Sequence, residues 1–277
     1  MDEDILELYP DPGRKHRLNG LYLNQSLAPA AGRAPFIYSN FISSLDGRIA
    51  MPGPDRQTHQ VPPAIANARD WRLFQELAAH ADLIITSARY FRQIRDHEAQ
   101  AELPVGRATE FDDLRAWRET RGLAAQPDIA IFSASLDIPP AALAPYRDRR
   151  LFLITGAGAD PEKLAALQAG IPLEVITCGT QASVDASTLR TRLAALGYQR
   201  VYAIAGPSVL HALAQGGALD QLYHTTAHCL LGGTRFDTFV HGTPLQPAFC
   251  MPLRAMYLDT RVPEGAGQTL AVYGHRE

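Results

Sequence analysis

The stretch Val201-Tyr202-Ala203-Ile204-Ala205-Gly206-Pro207-Ser208-Val209-Leu210 passes from a β-branched and aromatic run, through a glycine-proline turn, into helical spacing at Val209, Leu210 and Leu213. It predicts a strand over 201–205 and a helix from Pro207, because proline is tolerated in a first turn whose amides lack intrahelical partners. Glycine at the turn permits close backbone approach, and the positive end of the helix dipole suits a phosphate. A nucleotide phosphate site is one reading of Gly206-Pro207-Ser208. An ordinary strand-to-helix turn is the other.

The same alternation continues on both sides of this stretch. Phe36 to Ser43 is rich in aromatic and β-branched residues and is closed by the turn pair Asp46-Gly47. Leu83-Ile84-Ile85-Thr86, Ile129-Ala130-Ile131-Phe132, Leu151 to Thr155 and Leu173 to Thr177 read as short internal strands. Between the first two, Ile65, Ala68, Trp71, Phe74, Leu77 and Ala81 recur at helical spacing, with Pro62 and Pro63 suited to open that helix. Arg69, Arg72 and Glu76 fall off its apolar face. Further helices are expected over 161–169 and after Asp185, a capping residue. Strands alternating with helices predict an α/β domain with a mostly parallel sheet, to which a β-rich tail over 219–273 adds antiparallel edge strands. Residues 1–33 show no sustained period and are expected to form an extension lying on the domain of residues 34–277.

Composition narrows the function. Twenty-six Lys and Arg against 29 Asp and Glu give a net charge of −3, which offers no broad basic field for nucleic acid or an anionic membrane. The acidic opening MDEDILEL and the lack of a long apolar run predict a cytoplasmic protein. Cys178, Cys229 and Cys250 are odd in number and form no CxxC pair, so they are expected to be buried free thiols.

Other constellations point less far. Thr155-Gly156-Ala157-Gly158-Ala159-Asp160 has two glycines of a dinucleotide fingerprint without the third, which favours a plain turn. Ser208 lacks the closing glycine of GxSxG, which argues against a hydrolase elbow. His224 and His228 sit in a predicted strand, where four residues span about 13 Å, too far for one zinc. No metal site is expected. Asp46 ends the first strand, where α/β proteins gather substrate groups; simple turn chemistry is its other reading.

Taken in order, Ser44-Leu45-Asp46-Gly47-Arg48-Ile49-Ala50, Ala81 to Ser87, Ile131-Phe132-Ser133, Ala205 to Leu210, Gly217 to Leu222 and Leu230-Leu231-Gly232-Gly233 resemble the C-terminal reductase domain of bacterial RibD proteins. The resemblance spans about residues 35 to 274. It implies a dihydrofolate-reductase-like three-layer fold and reduction of the ribosyl group of a phosphoribosylaminopyrimidine in riboflavin synthesis, with hydride from NADPH. It also implies a homodimer. By position, Ser43, Thr86, Ser87 and Ser133 would line the cofactor, and Ala205, Gly206, Pro207, Ser208, Val209 and Leu210 would hold its phosphates. Ser44 and Asp46 would face the substrate, with Asp46 orienting it or relaying a proton.

The chain departs from the family at several contact positions. Ile204 replaces a substrate-touching Glu, Tyr90 and Ile94 replace a Thr and an Asp, and Ala78 replaces a substrate arginine. A second such arginine has no counterpart within Arg95-Asp96-His97-Glu98. The departures open two alternatives: a reductase of a different, non-phosphorylated compound, and a nucleotide-binding module without catalysis.

Overall fold

The computed structural model describes residues 4–28, 34–53, 59–96, 102–263 and 265–274. His97, Glu98 and parts of the extension (1–3 and 29–33) lie outside them. The chain runs β1 (Ile5–Tyr9), β2 (Lys15–His16), β3 (Phe36–Ser44), β4 (Met51–Pro52), β5 (His59–Gln60), α1 (Ala68–His80), β6 (Leu83–Ser87), α2 (Ala88–Arg95) and α3 (Asp112–Thr120). It continues through β7 (Asp128–Phe132), β8 (Leu151–Thr155), α4 (Pro161–Gly170), β9 (Glu174–Thr177), α5 (Leu189–Ala195), β10 (Arg200–Ala203), α6 (Pro207–Gln215), β11 (Gln221–Ala227), β12 (Leu253–Asp259) and β13 (Gln268–Gly274).

Among the described residues, eleven strands form one sheet in the order β2-β1-β12-β13-β11-β3-β10-β6-β7-β8-β9. From β11 to β9 neighbouring strands are parallel. Beyond β11, the pairs through β13, β12, β1 and β2 are antiparallel. The sheet is thus the mixed, mostly parallel one expected. The antiparallel C-terminal strands are not its edge, however, because β1 pairs with β12 and β2 lies outside it. Residues 1–33 show no sustained period, yet β1 forms there with Ile5 and Glu7 as its buried pair and Glu7 Oε2 2.5 Å from His16 Nε2.

Strand period sorts the core into two faces. Leu83, Ile85, Ala130, Phe152 and Ile154 face α5 and α6. Ile84, Ile129, Ile131, Leu151 and Leu153 point the other way, where the core divides between a cluster under α1 and α3 and one beside α2. That division leaves space between α1 and α2.

Helix α1 starts at Ala68, not at the prolines. Asn67 caps it by accepting the amides of Arg69 (3.1 Å) and Asp70 (2.9 Å), and Pro62 instead opens a turn closed by the Ile65 amide. Arg72 and Glu76, expected off the apolar face of α1, are also buried. The Glu76 carboxylate accepts the amides of Gly20 (2.6 Å), Tyr22 (3.0 Å) and Leu23 (3.1 Å), together with Arg72 Nε (3.0 Å). A charged acceptor holds this loop to the helix, so the extension is part of the core through Leu21, Tyr22, Leu23 and Leu27.

The thiols differ from expectation. Cys178 is buried, Cys229 half-buried and Cys250 exposed, because no residue of 228–256 is buried and Cys250 lies in that segment. The glycines of Gly156-Ala157-Gly158 serve chain packing: a Cβ on Gly156 would lie 1.8 Å from the Gln181 carbonyl oxygen. None of the helices is long and apolar enough to cross a membrane, among the described residues.

Replacing Glu76 with alanine leaves three amides, two of them buried, and Arg72 without their acceptor. Glu76→Ala is expected to lower stability by about 3–5 kcal/mol, and Glu76→Gln by less, read from the midpoint of denaturant unfolding.

Candidate active site

The sheet brings the C-terminal ends of β6 and β10 beside the middle of β3, with Ala203 paired to Ser39 on one side and Ile85 on the other. Ligands of open α/β sheets bind beyond such strand ends. A cavity of about 750 Å³ opens there, walled by α1 on one side and α2 with residues 102–104 on the other. That volume falls within the range of small-molecule and cofactor pockets.

On the α1 wall stand Asp70, Trp71 and Phe74. The two rings stack at 4.8 Å with 12° between their planes, and Phe74 leans on Tyr202 beneath. Asp70 is fixed by Thr225 Oγ1, which donates to its Oδ1 at 2.6 Å from β11. Burial is the main influence on this carboxyl and pushes it up to about 6, while the Thr225 hydroxyl opposes the shift. A carboxyl so placed changes protonation near neutral pH.

On the opposite wall Tyr90 turns its hydroxyl to Tyr146 (2.8 Å), and the Leu103 amide donates to the same Tyr146 oxygen (3.2 Å). Arg149 Nη1 donates to the Pro104 carbonyl (2.8 Å), which ties residues 103–104 in place. Tyr90 therefore forms wall and leaves the cleft open. Ile94 packs into the cluster beside α2, and Ile204 lines the cavity where the two clusters meet. Ala78 is fully buried in the α1 core, away from the cavity lining.

Two helices begin at this cavity, and neither carries a side-chain cap: α6 after Gly206 and α2 after Ser87. By contrast, Asn67 caps α1 and Asp160 caps α4. A Cβ built on Gly206 meets nothing within 4 Å, so the turn presents bare backbone. The donor set is that of an anion site: helix amides, a glycine and the hydroxyls of Thr86 and Ser87.

The residues singled out from sequence divide. Thr86, Ser87, Ala205, Gly206 and Pro207 line the cavity. Val209 and Leu210 are buried in the core under α6, where they anchor the turn, and Ser208 is exposed beside it. Ser133 Oγ accepts the Leu136 amide (3.0 Å), and Ser43 Oγ lies 2.9 Å from His224 Nε2. Ser44 Oγ donates to Asp46 Oδ1 (2.5 Å). Asp46 also accepts the amides of Leu231 (3.2 Å) and Gly232 (2.8 Å) and pairs with Arg48 (3.0 Å). The Ser44 hydroxyl first, then the backbone donors, hold its carboxyl down at about 2. These four side chains lie outside the cavity lining. Asp46 joins the loop after β3 to the late glycine turn.

Asp70 was missed, although the chain carried a signal: it lies four residues before Phe74 and seven before Leu77, an acid on the apolar stripe of α1. His59, Arg89 and Asp237 also line the cavity and come from three separate segments, which no local pattern joins.

A family model described as the RibD C-terminal domain matches residues 35–258. No curated protein matches the chain by sequence. Among solved structures, a pyrimidine reductase-like protein from Corynebacterium diphtheriae is 18% identical, with 88% of this chain and 94% of that chain covered and a TM-score of 0.62. RibD of Acinetobacter baumannii is 18% identical with a TM-score of 0.56; 88% of this chain covers 58% of that one. The riboflavin biosynthesis reductase of Saccharomyces cerevisiae is 14% identical with a TM-score of 0.51, over 90% and 91% of the two chains. These likenesses are of fold, and they fit the mixed, mostly parallel α/β sheet. Because the family model covers most of its length, the chain belongs to the RibD C-terminal domain family.

Proposed function

We propose that the chain is an NADPH-dependent reductase of a pyrimidine compound of the riboflavin-biosynthesis type. One observation carries the reading: a single cleft unites two uncapped helix N-termini with a half-buried carboxyl raised to about 6. The bare backbone at Gly206 and the cavity's size fit a dinucleotide. The first turns of α2 and α6 would hold its diphosphate, with Thr86 and Ser87 beside them. When bound, the reduced nicotinamide supplies hydride.

Reduction of a C=N or C=O bond also consumes a proton, and Asp70 is the group placed to deliver it. Asp46, engaged on both oxygens and held at about 2, serves instead to position the loop after β3. Trp71, Phe74 and Ile204 exclude water from the reacting face. Ala78 and Ile204 stand where the resemblance implies substrate-gripping side chains, which favours a substrate gripped elsewhere in the cleft, or a less phosphorylated one, within the same reaction class.

Fluorescence titration with NADPH is the first test. Gly206→Val is expected to weaken binding about 10-fold or more while the protein stays folded, since the added carbon meets open space. A wild-type protein that binds no dinucleotide would overturn the proposal, and binding without turnover on pyrimidine, pterin or carbonyl substrates would mark a module without catalysis.

Asp70→Asn is expected to cut kcat by roughly 100- to 10,000-fold. In the wild type, kcat should fall as pH rises through about 6, where Asp70 loses its proton, and the variant should lack that inflection. Stability runs with the same titration. The folded protein binds this proton more tightly than the unfolded chain, so the benefit is complete below about pH 4 and is lost as pH rises through about 6. Asp70→Asn should therefore be more stable than wild type by about 1–3 kcal/mol near pH 8, with little difference near pH 4, measured by denaturant unfolding.

A further inference from the structure

The mouth of the cavity carries a cluster that the diphosphate reading leaves unused. Among the described lining residues Arg89 is the one arginine, His59 the one histidine, and none is a lysine. Both side chains converge on one carboxylate. His59 Nδ1 lies 3.1 Å from Asp237 Oδ2, and Arg89 Nη1 lies 3.6 Å from the same oxygen. The side chains of Arg89, His59 and Asp237 are 47%, 20% and 30% exposed, so the cluster opens to solvent and ligand alike.

The three groups are not equally fixed. Asp237 is pinned through its backbone: its amide donates to the Ala50 carbonyl (2.8 Å), and its own carbonyl accepts the Ile49 amide (2.9 Å). Arg89 is held loosely. Its contact with Asp237 is longer than a hydrogen bond, and its Nη2 reaches the His59 carbonyl only at 3.4 Å. A guanidinium has five donors in a planar fork suited to phosphate oxygens, and among the described residues most of these are uncommitted. Arg89 is also the second residue of the uncapped helix α2, whose dipole adds to the positive potential.

We propose that Arg89, assisted by His59, forms a subsite for a phosphate monoester at the cavity mouth, with Asp237 as the internal counter-ion that the phosphate displaces. The inference rests on the reductase reading for its ligands, of which two carry such a group: the 2′-phosphate of NADPH and the 5′-phosphate of a phosphoribosyl substrate. The chemistry is shared. A dianion exchanges one carboxylate contact for charge-assisted bonds from a guanidinium fork and an imidazole, while the diphosphate remains with the helix ends.

Two substitutions with opposite signs decide between this subsite and a clasp that merely ties loops together. Dissociation constants would be measured for NADPH and NADH, and KM for 5-amino-6-(5-phosphoribosylamino)uracil and its dephosphorylated form. Arg89→Gln should weaken one phosphate-bearing ligand roughly 10- to 100-fold and leave its phosphate-free counterpart within about 2-fold. Asp237→Asn, which removes the competing charge and keeps the pinned backbone, should tighten that same ligand. An effect on NADPH alone assigns the subsite to the cofactor, and one on the phosphorylated pyrimidine alone assigns it to the substrate.

If both variants weaken phosphate-bearing and phosphate-free ligands alike, or change neither, the cluster is only a clasp and the proposal falls. Failure of the reductase reading shows separately, as a wild type that binds neither dinucleotide. In that event a phosphorus NMR titration with methyl phosphate still decides: binding lost in Arg89→Gln upholds the subsite, and equal binding by the two proteins overturns it.

Discussion

Strand β10 is hydrogen-bonded in parallel on both sides, to β3 through Arg200–Ala203 and to β6 through Val201–Ala203. This double pairing sets the C-terminal ends of β6 and β10 beside the middle of β3, which runs on next to β11, and makes what leaves them converge. Helix α6 follows β10 directly, α2 follows β6, and the loop after β3 leads through β4 and β5 towards α1. Without β10 between β3 and β6, the two helix N-termini would have no common cavity. The middle of the strand suits the position, because Val201 and Tyr202 are fully buried on opposite faces, as expected of a strand covered on both sides.

Beyond the strand ends, polar groups do much of the positioning. Asp46 collects the late glycine turn, Arg48 Nη2 reaches the Gly233 carbonyl at 3.0 Å, and the Ile49–Ala50 backbone pairs with Asp237. These contacts carry a segment with no buried residues across to the cavity mouth. At the other end of α1, Arg118 is fully buried and donates to the carbonyls of Ala79 (2.9 Å), Ala81 (2.6 Å) and Ala124 (2.8 Å), and burial brings its guanidinium down to about 10. A cation on helix-terminal carbonyls satisfies acceptors that the helix leaves open. A buried charge engaged by three carbonyls is costly to break, which suits a helix that must hold Asp70 still.

The architecture was legible where apolar residues ran without interruption. Leu83–Ile85, Ile129–Phe132, Leu151–Thr155 and the Val201–Leu210 passage identify themselves, because only buried parallel strands and the helices between them need such runs. Motif order then supplied the family. What escaped was the set of polar groups used from the inside. Glu76 reads as lying off the apolar face of its helix and is a buried acceptor, Glu7 is another, and Asp70 received no reading at all. The prolines at 62 and 63 pointed to a helix start that Asn67 provides instead. Arg89, His59 and Asp237 could not be grouped at all, since tertiary pairing alone brings 59, 89 and 237 together.

The proton affinity of Asp70 shows how far apart in the chain its causes lie. Thr225 supplies the hydroxyl from β11, and Tyr223, two residues earlier on the same strand face, is buried beneath α1. Tyr22 packs its ring 4.6 Å from Tyr223, and Tyr223 donates to Gln25 Oε1 at 2.8 Å. Both partners come from the N-terminal segment that precedes the family match at residue 35, and Glu76 of α1 fixes that segment through three amides. The N-terminal segment thus helps to exclude water from the core beside α1. Desolvation is what raises the Asp70 carboxyl. A group held near neutrality in this way costs stability in its ionised form, and the buried hydrogen bonds of Glu76 and Arg118 are the interactions that offset that cost on the same helix.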